Sequence, residues 1–198
     1  DEVMRKLSFM NNINMKGLHF HIGSQITRMP VFKSLCARIN ELQDWFANRN
    51  INLEVINVGG GLGIDYDNPD KRPRFEEYFS MINEFIDLRQ GQTIHIEPGR
   101  SIAGQCGSLI SKVLFIKNGS NTQFAIIDAG MTDLIRPALY QAHHKIENLT
   151  STGNILRYDV VGPICESSDT FAKYIELPET HRRDIIAIRS AGAYGATM

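Results

Sequence analysis

The sequence reads Val58-Gly59-Gly60-Gly61-Leu62-Gly63 at the point that decides its fold. Two comparable turns lie at His21-Ile22-Gly23-Ser24 upstream and at Glu97-Pro98-Gly99-Arg100 downstream. Each turn follows a short apolar run, which is typical of a buried β-strand. Three such turns at successive strand ends predict the rim of a barrel and a site for an anionic ligand.

The first half of the chain alternates between strand and helix patterns. Strands are predicted over residues 16–21, 53–58 and 93–97, and helices over a stretch led by Pro30 and over residues 75–88. Repeated β-turn-α-β units of this length predict a parallel sheet, in a (β/α)8 barrel or in a doubly wound fold.

The rhythm changes after Arg100. Strand patterns occupy residues 109–117, 123–128, 155–161 and 185–189, with one short helical pattern at 135–142. Turn residues such as Asn118-Gly119-Ser120-Asn121 separate them. We therefore expect an α/β part over residues 1–105 and an antiparallel β domain over residues 106–198.

Composition excludes several classes of protein. The net charge is −1 and the basic residues are scattered, so neither nucleic acid nor an anionic membrane is an expected partner. No apolar run reaches the roughly 20 residues of a membrane span. The three cysteines, Cys36, Cys106 and Cys165, are widely spaced, which predicts no disulfide framework, no metal site and a reducing, cytoplasmic setting.

The glycine triplet at residues 59–61 suits an anionic ligand. Glycines let the backbone approach a ligand closely and aim several N–H groups at one anion. The spacing departs from GxGxxG and no helix follows at once, which argues against a nicotinamide cofactor. The structural alternative is a tight turn that needs positive φ.

Polar residues at the other two turns extend this chemistry. His21 is suited to stack on a flat ring while the Ser24 hydroxyl donates to a phosphate. Glu97 is suited to hold a pyridine nitrogen protonated, so that the ring acts as an electron sink. The structural alternatives are a satisfied, partly buried histidine and an internal salt bridge from Glu97 to Arg100.

Seven blocks of sequence occur in the order found in one enzyme family. They are residues 17–25, Gly59-Gly60-Gly61-Leu62-Gly63, Glu97-Pro98-Gly99-Arg100, Asp128-Ala129-Gly130-Met131, Arg136-Pro137-Ala138-Leu139-Tyr140, Gly162-Pro163-Ile164-Cys165-Glu166-Ser167 and Gly192-Ala193-Tyr194. With these blocks the chain resembles the alanine-racemase-type (fold type III) pyridoxal-phosphate decarboxylases. It is most similar to the branch that converts meso-2,6-diaminopimelate to L-lysine and CO2.

The resemblance implies an α/β fold, the C-terminal part of a (β/α)8 TIM-like barrel, followed by a β-sandwich or β-barrel-like domain. It also implies that pyridoxal 5′-phosphate is the cofactor. His21 would stack on the pyridine ring and Glu97 would face its nitrogen. The implied phosphate contacts are Ser24, Gly60, Gly61, Gly99 and Tyr194, with Arg100 nearby, and Gly59 is a further implied cofactor-binding residue.

Substrate choice depends on a second group of residues. Arg136 and Tyr140 are four apart, so on a helical turn they share one face. Arg100 could join them in binding a carboxylate, for which guanidinium groups are well suited. Diaminopimelate carries a second amino-acid end, and Glu166 is the candidate for its ammonium group. The structural alternative is that Arg136 and Glu166 are surface charges.

Cys165 has two interpretations. By its residue type it is a small, buried hydrophobic side chain. By the resemblance it reaches, with Glu166, across a two-fold interface and donates the proton that replaces the departing carboxylate. The active unit would then be a homodimer.

Two features depart from the family pattern. The Schiff-base lysine lies in a Tyr-Ala-x-Lys-like motif that these residues do not contain. We expect the chain to be an internal piece of a longer polypeptide, with that lysine before Asp1, and expect these residues alone to be inactive. Ser168 stands where the family usually has glycine, which affects the local turn.

Two rival functions remain open from the sequence. One is a related decarboxylase that acts on ornithine, arginine or carboxynorspermidine. The other is a non-catalytic homologue that keeps the fold as a binding or regulatory partner. The cofactor-type residues His21 and Glu97 argue against the second rival, because a partner protein has no need of them.

Overall fold

The computed structural model describes residues 2–7, 9–120 and 122–198, and these form two compact units. The first unit comprises the described residues up to Gly61 together with Arg74–Pro98. The second unit comprises Leu62–Pro73 and Gly99–Met198.

The first unit is an α/β unit with three parallel strands in the order β1-β2-β3. Leu18, Ile56 and Ile94 are aligned across the three strands. The predicted strands and helices are present, although each strand is shorter than expected. The elements are α1 (Glu2–Leu7), β1 (Gly17–His19), α2 (Met29–Ala47), β2 (Val55–Asn57), α3 (Phe75–Phe85) and β3 (Thr93–His95).

Side-chain bonds from α2 set the end of α3. Pro30 occupies the first turn of α2, where a missing N–H costs nothing. Asn40 of α2 donates to the carbonyl of Phe85 (2.9 Å) and accepts from the backbone N–H of Asp87 (3.0 Å). These bonds satisfy backbone groups that a helix end leaves open. The helix therefore ends at Phe85 rather than at the expected residue 88.

The second unit contains a six-stranded sheet in the order β6-β9-β4-β5-β7-β8. The antiparallel expectation is wrong for one pair, because β5 and β7 run parallel. Two strands, β6 and β8, were not predicted. The elements are α4 (Arg100–Ala103), a 3-10 turn (Gly104–Cys106), β4 (Leu109–Asn118), β5 (Gln123–Ile127), α5 (Arg136–Tyr140), β6 (Ile146–Asn148), β7 (Ile155–Val161), β8 (Thr170–Pro178) and β9 (Ile185–Ile188).

The sheet of the second unit curls, so that its edge strands β6 and β8 approach each other. The side chain of Asn148 in β6 donates to the hydroxyl of Thr180, just beyond β8, at 3.1 Å. One hydrophobic core fills the curled sheet, and burial of such side chains is the main source of folding free energy. Its fully buried members include Val113, Ile127, Tyr158, Val160, Ile186 and Ile188. Among the described residues, every helix is too short or too polar to cross a bilayer.

Candidate active site

In the first unit, the turns after the three parallel strands are joined by backbone bonds that continue the sheet. The N–H of Phe20 donates to Asn57 O (2.9 Å), and the N–H of Val58 donates to His95 O (3.0 Å). The N–H of Glu97 in turn donates to Gly59 O at 2.9 Å. The carboxyl ends of the strands therefore meet at one edge, where α/β proteins bind ligands.

The glycine triplet is required by close backbone approach. A Cβ on Gly59 would lie 2.0 Å from the carbonyl oxygen of Phe20, and one on Gly60 would lie 2.3 Å from that of Glu97. Gly59 and Gly61 also have φ values of +71° and +104°. The tight-turn interpretation is therefore correct for these two glycines.

The Glu97 carboxylate is held by two neighbouring strand ends. Asn57 Nδ2 donates to Glu97 Oε1 at 2.8 Å, and His19 Nε2 lies 3.2 Å from Oε2. The hydrogen bond from Asn57, followed by the charges of His19 and His21, lowers the pKa of Glu97. The carboxylate is therefore ionised and half exposed, ready to accept a further hydrogen bond. We call His19, Asn57, Gly59, Gly60 and Glu97 the strand-end cluster.

His21 and Ser24 lie in the loop between β1 and α2. Both side chains are exposed, so the interpretation of His21 as a partly buried histidine is wrong. The His21 imidazole lies close enough to Glu97 to influence its pKa. The structure thus brings His21 and Glu97 to the same edge of the first unit.

In the second unit, two arginines converge on one aromatic ring. Arg100 donates to the hydroxyl of Tyr66 at 2.5 Å, and its guanidinium carbon lies 5.9 Å from the centre of the Tyr66 ring. The guanidinium carbon of Arg136 lies 5.1 Å from the centre of the same ring. Such distances are typical of cation–π contacts. Both guanidinium groups therefore contact the same tyrosine ring, which brings Arg100 and Arg136 to one part of the second unit.

Arg136 is only 7% exposed, so the alternative that it is a surface charge is wrong. One of its terminal nitrogens, Nη1, lies 2.8 Å from Nε2 of the buried His144. The Tyr66 ring meets the His144 ring edge to face, with centroids 5.1 Å apart. We call Tyr66, Arg100, Arg136 and His144 the arginine cluster.

Tyr140 and Tyr194 differ in their surroundings. Tyr140 ends α5 and is 62% exposed, although it lies one turn from the buried Arg136. The Tyr194 ring lies 4.9 Å from the guanidinium of Arg100, and a Cβ on Gly99 would lie 3.6 Å from the Tyr194 hydroxyl. The second unit therefore brings together Gly99, Arg100 and Tyr194.

Cys165 and Glu166 lie in a loop at residues 162–169 of the second unit. The loop is organised by the buried carboxylate of Asp169, which accepts from the N–H groups of Met131 (2.6 Å) and Ile164 (2.8 Å). The thiol of Cys165 is exposed, so the interpretation as a buried hydrophobic residue is wrong for this chain. Glu166 is also exposed, at the rim of a groove.

Ser168 fits its turn without the conformation that only glycine tolerates. It is not among the residues with positive φ. Its backbone N–H and its hydroxyl both donate to Glu166 Oε1, each at 3.1 Å. The serine therefore restrains the Glu166 side chain.

Five residues that position the candidate side chains in the two units were not predicted from the sequence. Asn57 carried a weak signal, because it is a polar residue at the end of a buried strand. The positions of Tyr66, His144 and Asp169 carried none, since only the tertiary fold brings them to their partners. The missed residues are His19, Asn57, Tyr66, His144 and Asp169. Within the part of the chain that the structure describes, no group of three acidic, histidine or cysteine side chains is placed to hold a metal ion.

Comparison with known proteins identifies the class. Residues 13–192 match the family model described as pyridoxal-dependent decarboxylase, C-terminal sheet domain. The chain belongs to this family of pyridoxal-dependent decarboxylases.

Within the family, several similar proteins are named diaminopimelate decarboxylases. A diaminopimelate decarboxylase of Bacteroides thetaiotaomicron is 58% identical over the whole chain and 52% of its own length. That of Zymomonas mobilis is 39% identical over 98% of the chain and 46% of its own length. The crystal structure of diaminopimelate decarboxylase from Helicobacter pylori complexed with L-lysine has a TM-score of 0.89 and 38% identity, and covers 100% of this chain and 50% of that one. The chain thus spans about half the length of the relatives that it matches.

Proposed function

We propose that the protein is a pyridoxal 5′-phosphate-dependent decarboxylase that converts meso-2,6-diaminopimelate to L-lysine and CO2. The observation that carries this proposal is the arginine cluster, in which Arg100 and the buried Arg136 both contact the ring of Tyr66. Two guanidinium groups suit a carboxylate far from the reacting carbon. The names of the relatives support the same substrate.

The strand-end cluster fits the pyridine ring of the cofactor. Glu97 has a lowered pKa and stays ionised, so its carboxylate can accept a hydrogen bond from a protonated ring nitrogen. The exposed imidazole of His21 lies at the same edge, available to stack on a ring. When bound, the cofactor supplies an electron sink for the electron pair that CO2 leaves behind.

Small residues and hydroxyls are the proposed phosphate contacts. In the first unit these are Ser24 and the backbone N–H groups of Gly60 and Gly61, where close packing excludes side chains. In the second unit, the resemblance assigns the same role to Gly99 and Tyr194, with Arg100 as the nearby cation.

The parallel strands of the first unit support the finer description of its fold. We propose that β1, β2 and β3, with the helices between them, belong to a (β/α)8 barrel. The proposed division into a barrel part over residues 1–105 and a β domain over residues 106–198 follows the resemblance.

The active unit is proposed to be a homodimer. Cys165 and Glu166 are exposed on a loop that the buried Asp169 holds in shape, which suits residues that enter a partner's active site. There the Cys165 thiol would donate the proton that replaces CO2, and Glu166 would bind the distal ammonium group. Tyr140, exposed at the end of α5, would contact the substrate. The three free cysteines agree with a reducing, cytoplasmic setting.

The rival functions are less well supported. Decarboxylation of ornithine, arginine or carboxynorspermidine does not explain why the buried Arg136 lies close to Arg100, because only a diacid such as diaminopimelate brings a second carboxylate. A non-catalytic binding or regulatory homologue does not explain the ionised Glu97 held between two strand ends.

Side-by-side turnover by the intact protein tests the proposal. Purified protein is assayed with pyridoxal phosphate on meso-diaminopimelate, L-ornithine, L-arginine and carboxynorspermidine. We expect CO2 release from diaminopimelate alone, lost when the cofactor is removed and restored when it is added back. Preferred turnover of another amine, or no turnover of any, would overturn the proposal.

A further inference from the structure

We propose that His144 is a positioning residue for substrate recognition: it fixes the guanidinium of Arg136 and so helps select a substrate with a second carboxylate. The inference rests on the proposed function, in which Arg136 binds that carboxylate. It assigns the selectivity to a residue that need not touch substrate, cofactor or the reacting atoms.

The hydrogen bonds of His144 define its tautomer. Its ring is 1% exposed, with Nε2 at 2.8 Å from Arg136 Nη1 and Nδ1 at 2.9 Å from the carbonyl oxygen of Arg189. A guanidinium can only donate, so Nε2 must accept. A carbonyl can only accept, so Nδ1 must carry the hydrogen. Both ring nitrogens are therefore used, and the imidazole is a fixed acceptor for Arg136.

The surroundings keep this imidazole uncharged. Burial, together with the nearby positive charges of Arg136, His143 and Arg100, lowers the pKa of His144 to about 4, although the bond to the Arg189 carbonyl opposes the shift. A protonated ring would face the Arg136 guanidinium as a like charge. It would also lose the lone pair that Arg136 needs.

The two neighbours of Arg136 have separable roles. His144 takes one of the five N–H donors of the guanidinium. The ring of Tyr66 lies against both the guanidinium of Arg136 and the His144 ring, and its hydroxyl accepts from Arg100. The hydrogen bond to the imidazole thus fixes the rotation of the Arg136 guanidinium. The contact with the Tyr66 ring fixes how far the guanidinium extends from α5. Such support fixes the direction of the remaining donors, on which recognition of a carboxylate depends.

Two substitutions of His144 test its hydrogen bonds to Arg136 and to the Arg189 carbonyl separately. In His144→Asn the amide nitrogen can occupy the position of Nδ1 and keep the bond to Arg189, but nothing reaches Arg136. In His144→Gln the longer amide can place its oxygen near the position of Nε2 and keep the acceptor for Arg136. If positioning is the role, the glutamine variant should rescue selectivity that the asparagine variant loses.

The experiment measures binding and turnover by the intact holoenzyme. L-Lysine keeps the carboxylate that does not leave as CO2, whereas 1,5-diaminopentane has none. In His144→Asn we expect the KM for meso-diaminopimelate and the Kd for L-lysine to rise about tenfold, as for loss of one bond to a charged group. We expect kcat and the Kd for 1,5-diaminopentane to stay within about twofold of the wild-type values. In His144→Gln we expect the KM for meso-diaminopimelate and the Kd for L-lysine to return toward their wild-type values.

Several outcomes overturn the inference. Equal loss of affinity for both ligands would indicate a purely structural role, as would equal damage in the two variants. If Arg136→Ala raises the KM for diaminopimelate but His144→Asn does not, the proposed function survives and this inference fails. If the wild-type protein does not turn over diaminopimelate, the proposed function fails and the inference falls with it.

Discussion

Asn57 and Glu97, at the ends of two adjacent parallel strands, are joined by a hydrogen bond of 2.8 Å from the amide Nδ2 to the carboxylate Oε1. The same asparagine accepts from the N–H of Gly59 through Oδ1, also at 2.8 Å. One side chain therefore ties the glycine triplet to the proposed partner of the pyridine nitrogen. Its hydrogen bond also lowers the pKa of Glu97 and so keeps the carboxylate ionised, as a partner of a protonated pyridine nitrogen must be.

The first prediction concerns this link. Asn57→Asp keeps an oxygen for the N–H of Gly59, but replaces the donor to Glu97 with a like charge. We expect the pKa of Glu97 to rise, because its largest stabilising contact is lost. We expect affinity for pyridoxal phosphate to fall about tenfold. Carboxyl NMR titration and equilibrium dialysis measure the two effects. The exposed Asn52→Asp is the control, and unchanged values in Asn57→Asp would contradict the assignment.

The second prediction concerns the packing of the glycine triplet. Gly60→Ala places a Cβ 2.3 Å from the backbone oxygen of Glu97, so the strand ends must separate. We expect a loss of about 2 kcal/mol in the free energy of unfolding, typical of overpacking. Gly91→Ala is the matched control, because Gly91 has a φ of +83° with no atom near the added Cβ. It should cost about 1 kcal/mol through backbone strain alone. Urea unfolding distinguishes the two costs, and an equal cost in both variants would rule out the clash.

The third prediction concerns the pH dependence of stability. The pKa of His144 falls from its ordinary 6.5 to about 4 in the folded protein. Between these values the unfolded chain binds more protons, so acidification destabilises the fold. The stabilisation that depends on the uncharged ring is present above pH 6.5 and is lost as the pH falls toward 4.

The size of this loss is up to about 3 kcal/mol for a fully buried group. His144→Gln removes the titrating group, so its free energy of unfolding should fall less steeply than that of the wild type over the same pH window. Denaturant unfolding at several pH values measures the difference. Parallel curves for the two proteins would show that His144 does not titrate in this way.

The fourth prediction concerns the proposed dimer. Cys165 and Cys106 are exposed in the single chain and Cys36 is buried. If Cys165 enters a partner's active site, it should react slowly with a maleimide at high protein concentration and quickly after dilution. Cys106 serves as the internal control that reacts at both concentrations, and peptide mass spectrometry reads each site. Equal rates for Cys165 and Cys106 in the concentrated protein would count against this placement.

The sequence was a good guide wherever local pattern decides structure. Apolar periodicity located α2 and α3, because a buried helical face repeats every 3.6 residues. Apolar strand patterns separated by turn residues located β4, β5, β7 and β9. The pattern failed at β6, which has only three residues, and at β8, where exposed and buried positions do not alternate regularly.

The site was predictable only in part, for a physical reason. Arg136 was chosen as a candidate, yet its burial and its bond to His144 depend on contacts that no local spacing encodes. Tyr66 lies beside Arg100 although 34 positions separate them. The parallel pairing of β5 with β7 was missed for the same reason, since it depends on a crossover through the fold.

The central claim, that a buried arginine selects a diacid substrate for decarboxylation, is tested most directly by the rate of CO2 release from meso-diaminopimelate in Arg136→Ala. The matched control is Arg157→Ala, whose side chain is 75% exposed on β7. With pyridoxal phosphate bound, we expect kcat/KM to fall at least about tenfold in Arg136→Ala, as for loss of a charged hydrogen bond, and to be unchanged in Arg157→Ala. Equal CO2 release by wild type and Arg136→Ala would contradict the account.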